Sequence, residues 1–188
     1  MSDAYSADPL DLTALAVRAL VLYSLAEYQS GNASTIRVSA EGASFSVADD
    51  GRGHSITRTV AGTPYLHFVY THLDYPFALA EGRPVQLHGI GMSFLNMLCS
   101  ELSVRARNRD GVLQIAYRAG RLVNEECFEP TNGSTGNTIS GTIAPHLRVR
   151  PTNAERIEQW LLAVLALSPS LNLHLNGKEL HVSQGNAV

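Results

Sequence analysis

The spacing of apolar residues changes several times along the chain. Leu12, Leu15, Ala16, Ala19, Leu22, Tyr23 and Ala26 recur at helical intervals. They predict a helix over 11–30, with Asp11 as N-cap and Gly31 as the stop. Apolar and polar residues then alternate through TIRVSA (35–40) and ASFSVA (43–48), which predicts two strands turning at Glu41-Gly42. DDGRG (49–53) ends the second strand in a sharp loop. A short helix is expected over 64–73 with Pro64 in its first turn, a loop over 74–86, and a helix over 90–100 whose stripe is Met92, Leu95 and Cys99. Alternation returns at 102–108 and 112–118 across an Arg109-Asp110-Gly111 turn; Gly120-Arg121 turns the chain into 122–128. PTNGSTGN (130–137) reads as a polar loop and TISGTIA (138–144) as a strand. Thr152, with Glu155 three residues on, predicts the capped start of a helix running to about Leu167. A hairpin turning at Asn176-Gly177 closes the series.

This order of elements predicts an α+β two-layer sandwich: a mixed, mostly antiparallel sheet with helices on one face. Residues 1–10 read as a flexible N-terminal tail, 11–183 as a single domain and 184–188 as a C-terminal tail. There is no internal repeat or low-complexity tract.

Composition narrows the function classes. The chain has 188 residues, 45% hydrophobic and 16% charged, with a formal net charge of −3. That is enough for one globular core. Lys178 is the only lysine, and no run of basic residues marks a nucleic-acid surface. The apolar stretch 12–26 is too short and mixed for a membrane span, and no signal-peptide pattern opens the chain, so a cytoplasmic protein is expected. Cys99 and Cys127 define neither a disulfide scaffold nor a metal site; Cys99 reads as a buried free thiol. The seven histidines lack metal-ligand spacing.

Two glycine-rich segments carry candidate chemistry: SVADDGRG (46–53) and LHGIGMSFLNML (87–98), followed by GNTISGT (136–142) and the terminal NLHLNGKEL. Their order and spacing resemble the GHKL ATPase superfamily, which groups gyrase B with chaperones, histidine kinases and mismatch-repair ATPases. The resemblance is nearest to the ATP-binding domain of the gyrase B and topoisomerase IV B proteins and runs from about 12 to 182. It implies the Bergerat fold. It also implies that Asp49 accepts the exocyclic amine of adenine, a task suited to an acceptor-only carboxylate. Gly51 and Gly53 would let the backbone approach a purine or adopt positive φ, and Arg52 would cover the adenine edge while pairing with Glu27. Gly89 and Gly91, with His88 beside them, would meet phosphates at the start of a helix. Thr138 would bond near adenine, with Thr142 as rival because the alignment can slip there. Asn96 reads as an ordinary polar helix position.

The chain departs from that pattern on its first helix. Counting back without gaps from Gly31 and Glu27, the catalytic Glu position is Ala19, the magnesium-binding Asn is Tyr23 and the Asp before it is Leu22. Alanine cannot act as a base, and Tyr is a poor ligand for a hard cation. Tyr23 is expected to fill part of the nucleotide pocket. The stretch HLDYPFALAEGRPVQ has no lid lysine and fewer glycines, and its Arg83 reads as a surface residue rather than a cation toward phosphates; His54 replaces an apolar residue and Ser55 a proline. The resemblance thus implies a stand-alone domain that binds ATP or ADP, with no magnesium site and no normal hydrolysis. The length excludes topoisomerase activity by this chain alone. The alternative is a non-enzymatic regulatory or interaction module that has lost nucleotide. In either case a protein partner or self-association through a sheet face or edge is expected. A protein-kinase activity would need the same missing Glu and Asn.

Overall fold

Asp11 holds the start of the first helix and also ties together two elements far apart in sequence. In the computed structural model, which describes residues 11–72, 91–128, 133–147 and 151–182, Asp11 Oδ1 accepts from Ala14 N–H as the N-cap of α1 (Leu12–Gln29). It also accepts from the Thr152 hydroxyl, and its Oδ2 from Asn153 N–H. Those contacts secure the start of α4 (Ala154–Ala166), whose cap is Asn153, accepting from Arg156 N–H. The Thr152 capping box is therefore displaced by one residue, because the Thr152 hydroxyl is spent on Asp11 and on Gly42 O. Asp11→Ala removes a cap and two tertiary bonds together. It is expected to cost about 1–2 kcal/mol, read by denaturant melts.

The strands β1 (Thr35–Glu41), β2 (Ser44–Asp49), β3 (Thr59–Val60), β4 (Thr63–Pro64), β5 (Cys99–Asn108), β6 (Gly111–Arg118), β7 (Arg121–Phe128), β8 (Gly136–Ile143), β9 (Asn172–Leu175) and β10 (Lys178–Glu179) fall into two sheets. β3 and β4 form a small hairpin; the other eight form one sheet in the order β10-β9-β1-β2-β8-β5-β6-β7. Among the described residues only the β1–β9 pair is parallel; the other ladders are antiparallel. The molecule is thus the α+β fold with a mixed, mostly antiparallel sheet that the pattern predicts. α2 (Tyr65–Thr71) and α3 (Met92–Leu98) join α1 and α4 as the helices of the described residues.

Strand alternation explains the core. Ile36, Val38, Val47, Val104, Ile115, Ile139 and Leu173 project from one sheet face and are buried with Ala16, Leu20, Leu66, Leu95, Leu161 and Leu165 of the helices. Pro64 lies just before α2 rather than within it, paired with Thr59. Cys99 opens β5 instead of extending a helix stripe; it is a free buried thiol, and burial pushes its pKa up to about 12. The loop expected over 74–86 and both expected tails lie outside the described residues. No helix among the described residues is long and apolar enough to cross a membrane.

Candidate functional site

The end of β2 brings Asp49 against α1. Alternation makes Phe45, Val47 and Asp49 the inward residues of this strand, so a carboxylate takes an apolar position. Asp49 is 4% exposed. Its Oδ2 accepts from the Ser24 hydroxyl at 2.9 Å; its Oδ1 accepts from Gly51 N–H at 3.0 Å and Asn137 N–H at 3.3 Å. Burial raises its pKa, against the pull of these three donors. A carboxylate has about four lone-pair directions, so one acceptor site remains beyond the donors among the described residues.

The chain leaves β2 through two further anchors. Asp50 accepts from Ser34 N–H and Oγ, both at 2.7 Å, and from Thr35 N–H at 2.8 Å. Burial opposes its charge, but these bonds prevail and hold its pKa below the usual value. Arg52 forms a fork with Glu27: Nε to Oε2 at 3.0 Å and Nη2 to Oε1 at 2.8 Å, with Arg52 N–H also reaching Oε2. Hydrogen bonding from Arg52 lowers the Glu27 pKa despite partial burial, and Glu27 raises that of Arg52. Between these groups Gly51 has little spare room: a Cβ there would lie 3.0 Å from Asp49 Oδ1 and 3.2 Å from Glu27 Cβ.

Gly53 has φ +75°, and a Cβ on it would lie 2.0 Å from Arg107 O. Its requirement is backbone packing against β5. Gly91 differs: as the residue before α3 it has φ −65°, and an added Cβ would meet nothing among the described residues nearer than Ser93 Oγ at 4.0 Å. His88, Gly89 and Arg83 lie outside the described residues.

Thr138 does not join the site. Its register partners are Ala48 and Arg105, whereas Asp49, Val47 and Ile139 belong to the other sheet face. Thr142 shares the Thr138 face and bonds Ser44 Oγ. The residue that meets Asp49 is Asn137, one position earlier: its N–H reaches Asp49, and its Oδ1 accepts from His54 N–H at 2.9 Å. The period of two decides this, since a one-residue slip reverses every side chain.

Ser24 and His54 complete the site. Ser24 is buried on α1 facing Asp49. His54 is 5% exposed, and its Nδ1 lies 3.2 Å from the Tyr23 hydroxyl. The His54 ring sits 5.3 Å from that of Tyr23, 6.2 Å from Tyr65 and 6.3 Å from Tyr70. Burial drives the His54 pKa down to about 4, so the ring is neutral near pH 7, and burial likewise raises the phenols of Tyr23 and Tyr70. Asn96 is no plain surface residue either: 2% exposed, it donates to Tyr70 O at 3.0 Å and so joins α3 to α2. In sequence, only the polar Asn within the 136–142 motif hinted at Asn137; Ser24 and His54 acquire their roles from partners 25 and 31 residues away.

On the first helix Ala19 is 5% exposed, and the Tyr23 hydroxyl one turn on meets His54. Among the described residues, no group of three or more His, Cys, Asp or Glu side chains is placed to hold a metal ion.

No protein-family model matches the chain. Among curated proteins it is similar to the B subunit of DNA gyrase. The protein of Streptococcus pyogenes serotype M3 is 29% identical over 167 residues, covering 83% of this chain and 26% of that protein. The protein of Streptococcus pneumoniae serotype 4 is 27% identical over 169 residues, covering 86% and 26% respectively. The chain therefore spans about a quarter of the length of these relatives.

Proposed function

We propose, from this homology to the B subunit of DNA gyrase, that the chain binds an adenine nucleotide through Asp49 and does not turn it over. The observation that carries the reading is the Asp49 cradle. A carboxylate is kept inside a sheet-helix interface by Ser24, Gly51 and Asn137 while keeping acceptor capacity, which suits an exocyclic amine. Gly51 keeps the approach narrow and the Glu27–Arg52 fork borders it. Gly91, where an added Cβ would meet nothing among the described residues nearer than Ser93 Oγ, suits a phosphate approach, and the resemblance adds His88 and Gly89 to it.

Magnesium does not fit this chemistry. A magnesium ion demands oxygen ligands in near-octahedral order; Ala19 offers none, and the Tyr23 hydroxyl is engaged by His54. ATP and ADP are therefore expected to bind equally well with and without magnesium, and phosphate release is expected to stay at background for want of a base.

Titration calorimetry on nucleotide-stripped protein tests this. Asp49→Ala should weaken ATP and ADP about 10- to 100-fold, the range for a hydrogen bond to a charged group. Absence of saturable binding by the unaltered protein up to about 1 mM nucleotide would reject the reading. The second reading, an interaction module without nucleotide, is favoured by Tyr23 and His54 packing together beside the cradle; that outcome would leave it standing. A cytoplasmic location and a protein partner are parts of the same proposal.

A further inference from the structure

The sheet face turned away from the helices has an ordered charge pattern. Three rows cross it in register. The first reads Arg37, Ala48, Thr138, Arg105, Gln114 and Glu126 on β1, β2, β8, β5, β6 and β7. The second, two residues along each strand, reads Ser39, Ser46, Ser140, Ser103, Ala116 and Asn124. The third reads Glu41, Ser44, Thr142, Glu101, Arg118 and Arg121. Arg37, Ser39, Glu41, Glu101 and Arg105 are exposed, and Ser46, Ser103 and Ser140 half-buried.

On three of the six strands the outer rows carry opposite charges, and within one copy Arg118 of the third row already pairs with Glu101 at 3.3 Å, both side chains remaining exposed. On β1, Arg37 stands opposite Glu41 across the serine row; on β5, Arg105 stands opposite Glu101; on β7, Glu126 stands opposite Arg121. A two-fold axis lying along the serine row carries each copy's first row over the other's third row. Arg37 of a second copy then faces Glu41, Arg105 faces Glu101, and Glu126 faces Arg121, each contact occurring twice, as an isologous interface requires. The small middle row lets the two faces approach at the roughly 10 Å spacing of stacked sheets. A depression of about 370 Å³ lies in this face, with Glu101, Ser103, Ser140 and Thr142 in its lining. The same axis places the second copy's Arg105 over it.

We infer that this face binds a second copy of the chain, pairing the two sheets about the serine row. Six strands by five residues give a patch of roughly 450 Å² per copy. That is at the low end for interfaces, so the dimer is weak and depends on concentration. Exposed ion pairs guide its register, so salt loosens it. The inference does not rest on nucleotide binding.

Sedimentation equilibrium of the full chain tests it over a range of concentration and salt. The expected result is a monomer–dimer equilibrium that shifts toward monomer as salt rises. Arg37→Glu with Arg105→Glu should weaken the dimer about tenfold or more. Adding Glu41→Arg and Glu101→Arg to that variant recreates the pattern with signs exchanged and should restore the dimer. In a Cys127→Ser background, Ser140→Cys lies on the axis and should be cross-linked between copies by a short bis-maleimide; Leu167→Cys, beyond α4, should not. A monomer at every concentration, a dimer indifferent to the reversal, or a fourfold variant that folds but stays monomeric would each overturn the inference.

Discussion

Gly136→Ala should destabilise the fold by more than about 3 kcal/mol and abolish any ligand binding at Asp49 in the protein that remains folded. Gly136 has φ +130°, a conformation L side chains rarely adopt, and an ideal Cβ on it would lie 2.0 Å from Asp49 O and 3.1 Å from Asp50 Cα. The obstacles are backbone atoms, so no rotamer change relieves them. β8 must then move away from the end of β2. That movement pulls Asn137 N–H from Asp49 and breaks the link from Asn137 Oδ1 to His54 N–H. Asp49, already short of solvent, loses one of three donors, and an unsatisfied buried carboxylate is costly. Gly53→Ala meets Arg107 O in the same way, but Gly53 touches β5 rather than Asp49. Equilibrium denaturation gives the stability, and nucleotide titration of the folded fraction gives the rest. A Gly136→Ala protein as stable as its parent would show that β2 and β8 approach each other more loosely than these distances require.

How much of this the sequence disclosed depends on whether neighbours or distant partners decide each feature. The hairpins at Gly42 and at Asn176-Gly177 follow from local turn chemistry, and the register of the long strands follows from alternation. The burial of α1 does not. The spacing selects Leu12, Leu15, Ala16, Ala19, Leu22, Tyr23 and Ala26, but the buried face is Thr13, Ala16, Val17, Leu20, Val21, Ser24 and Leu25, with Ala19 beside it. The helix is apolar nearly all round, so periodicity cannot choose an orientation. Packing against the sheet chooses it, and Ser24 turns inward because Asp49 is there to accept from its hydroxyl. The exchange of Thr138 for Asn137 has a similar cause: a motif fixes the segment, whereas the side-chain facing depends on the ladder that β8 makes with β2 and β5. The Glu27–Arg52 link was legible because Arg52 sits in the DDGRG motif and the resemblance pairs it with a Glu of the first helix; the Tyr23–His54 contact was not, since each residue alone reads as a departure.

That contact leads to the second large effect: stability should fall steeply as pH drops from about 6.5 to about 4, chiefly through His54. Burial depresses its folded pKa from the ordinary 6.5 to about 4, so between those limits the unfolded chain binds a proton that the folded one refuses. The sign follows from linkage: more protons bound unfolded means stability that rises with pH. The full contribution is present above about pH 6.5 and is lost on acidification through the window, roughly 3 kcal/mol for a shift of this size. Glu27 and Asp50, with lowered pKa values, add losses at lower pH, present above their unfolded values and given up as pH falls through the folded ones. Asp49 acts in the opposite sense: its raised pKa means the folded state takes up a proton more readily, which partly offsets the decline. Protonated His54 would bring a charge among Tyr23, Tyr65 and Tyr70, with no described partner at Nε2 to receive its proton. His54→Leu removes the titrating group while leaving an apolar side chain. Chemical denaturation at several pH values should therefore show a shallow slope in that variant between about pH 6.5 and 4, beside a steep one in the parent. Equal slopes would place the acid sensitivity on the carboxylates instead, and would mean that the His54 ring accepts a proton without leaving its place against Tyr23.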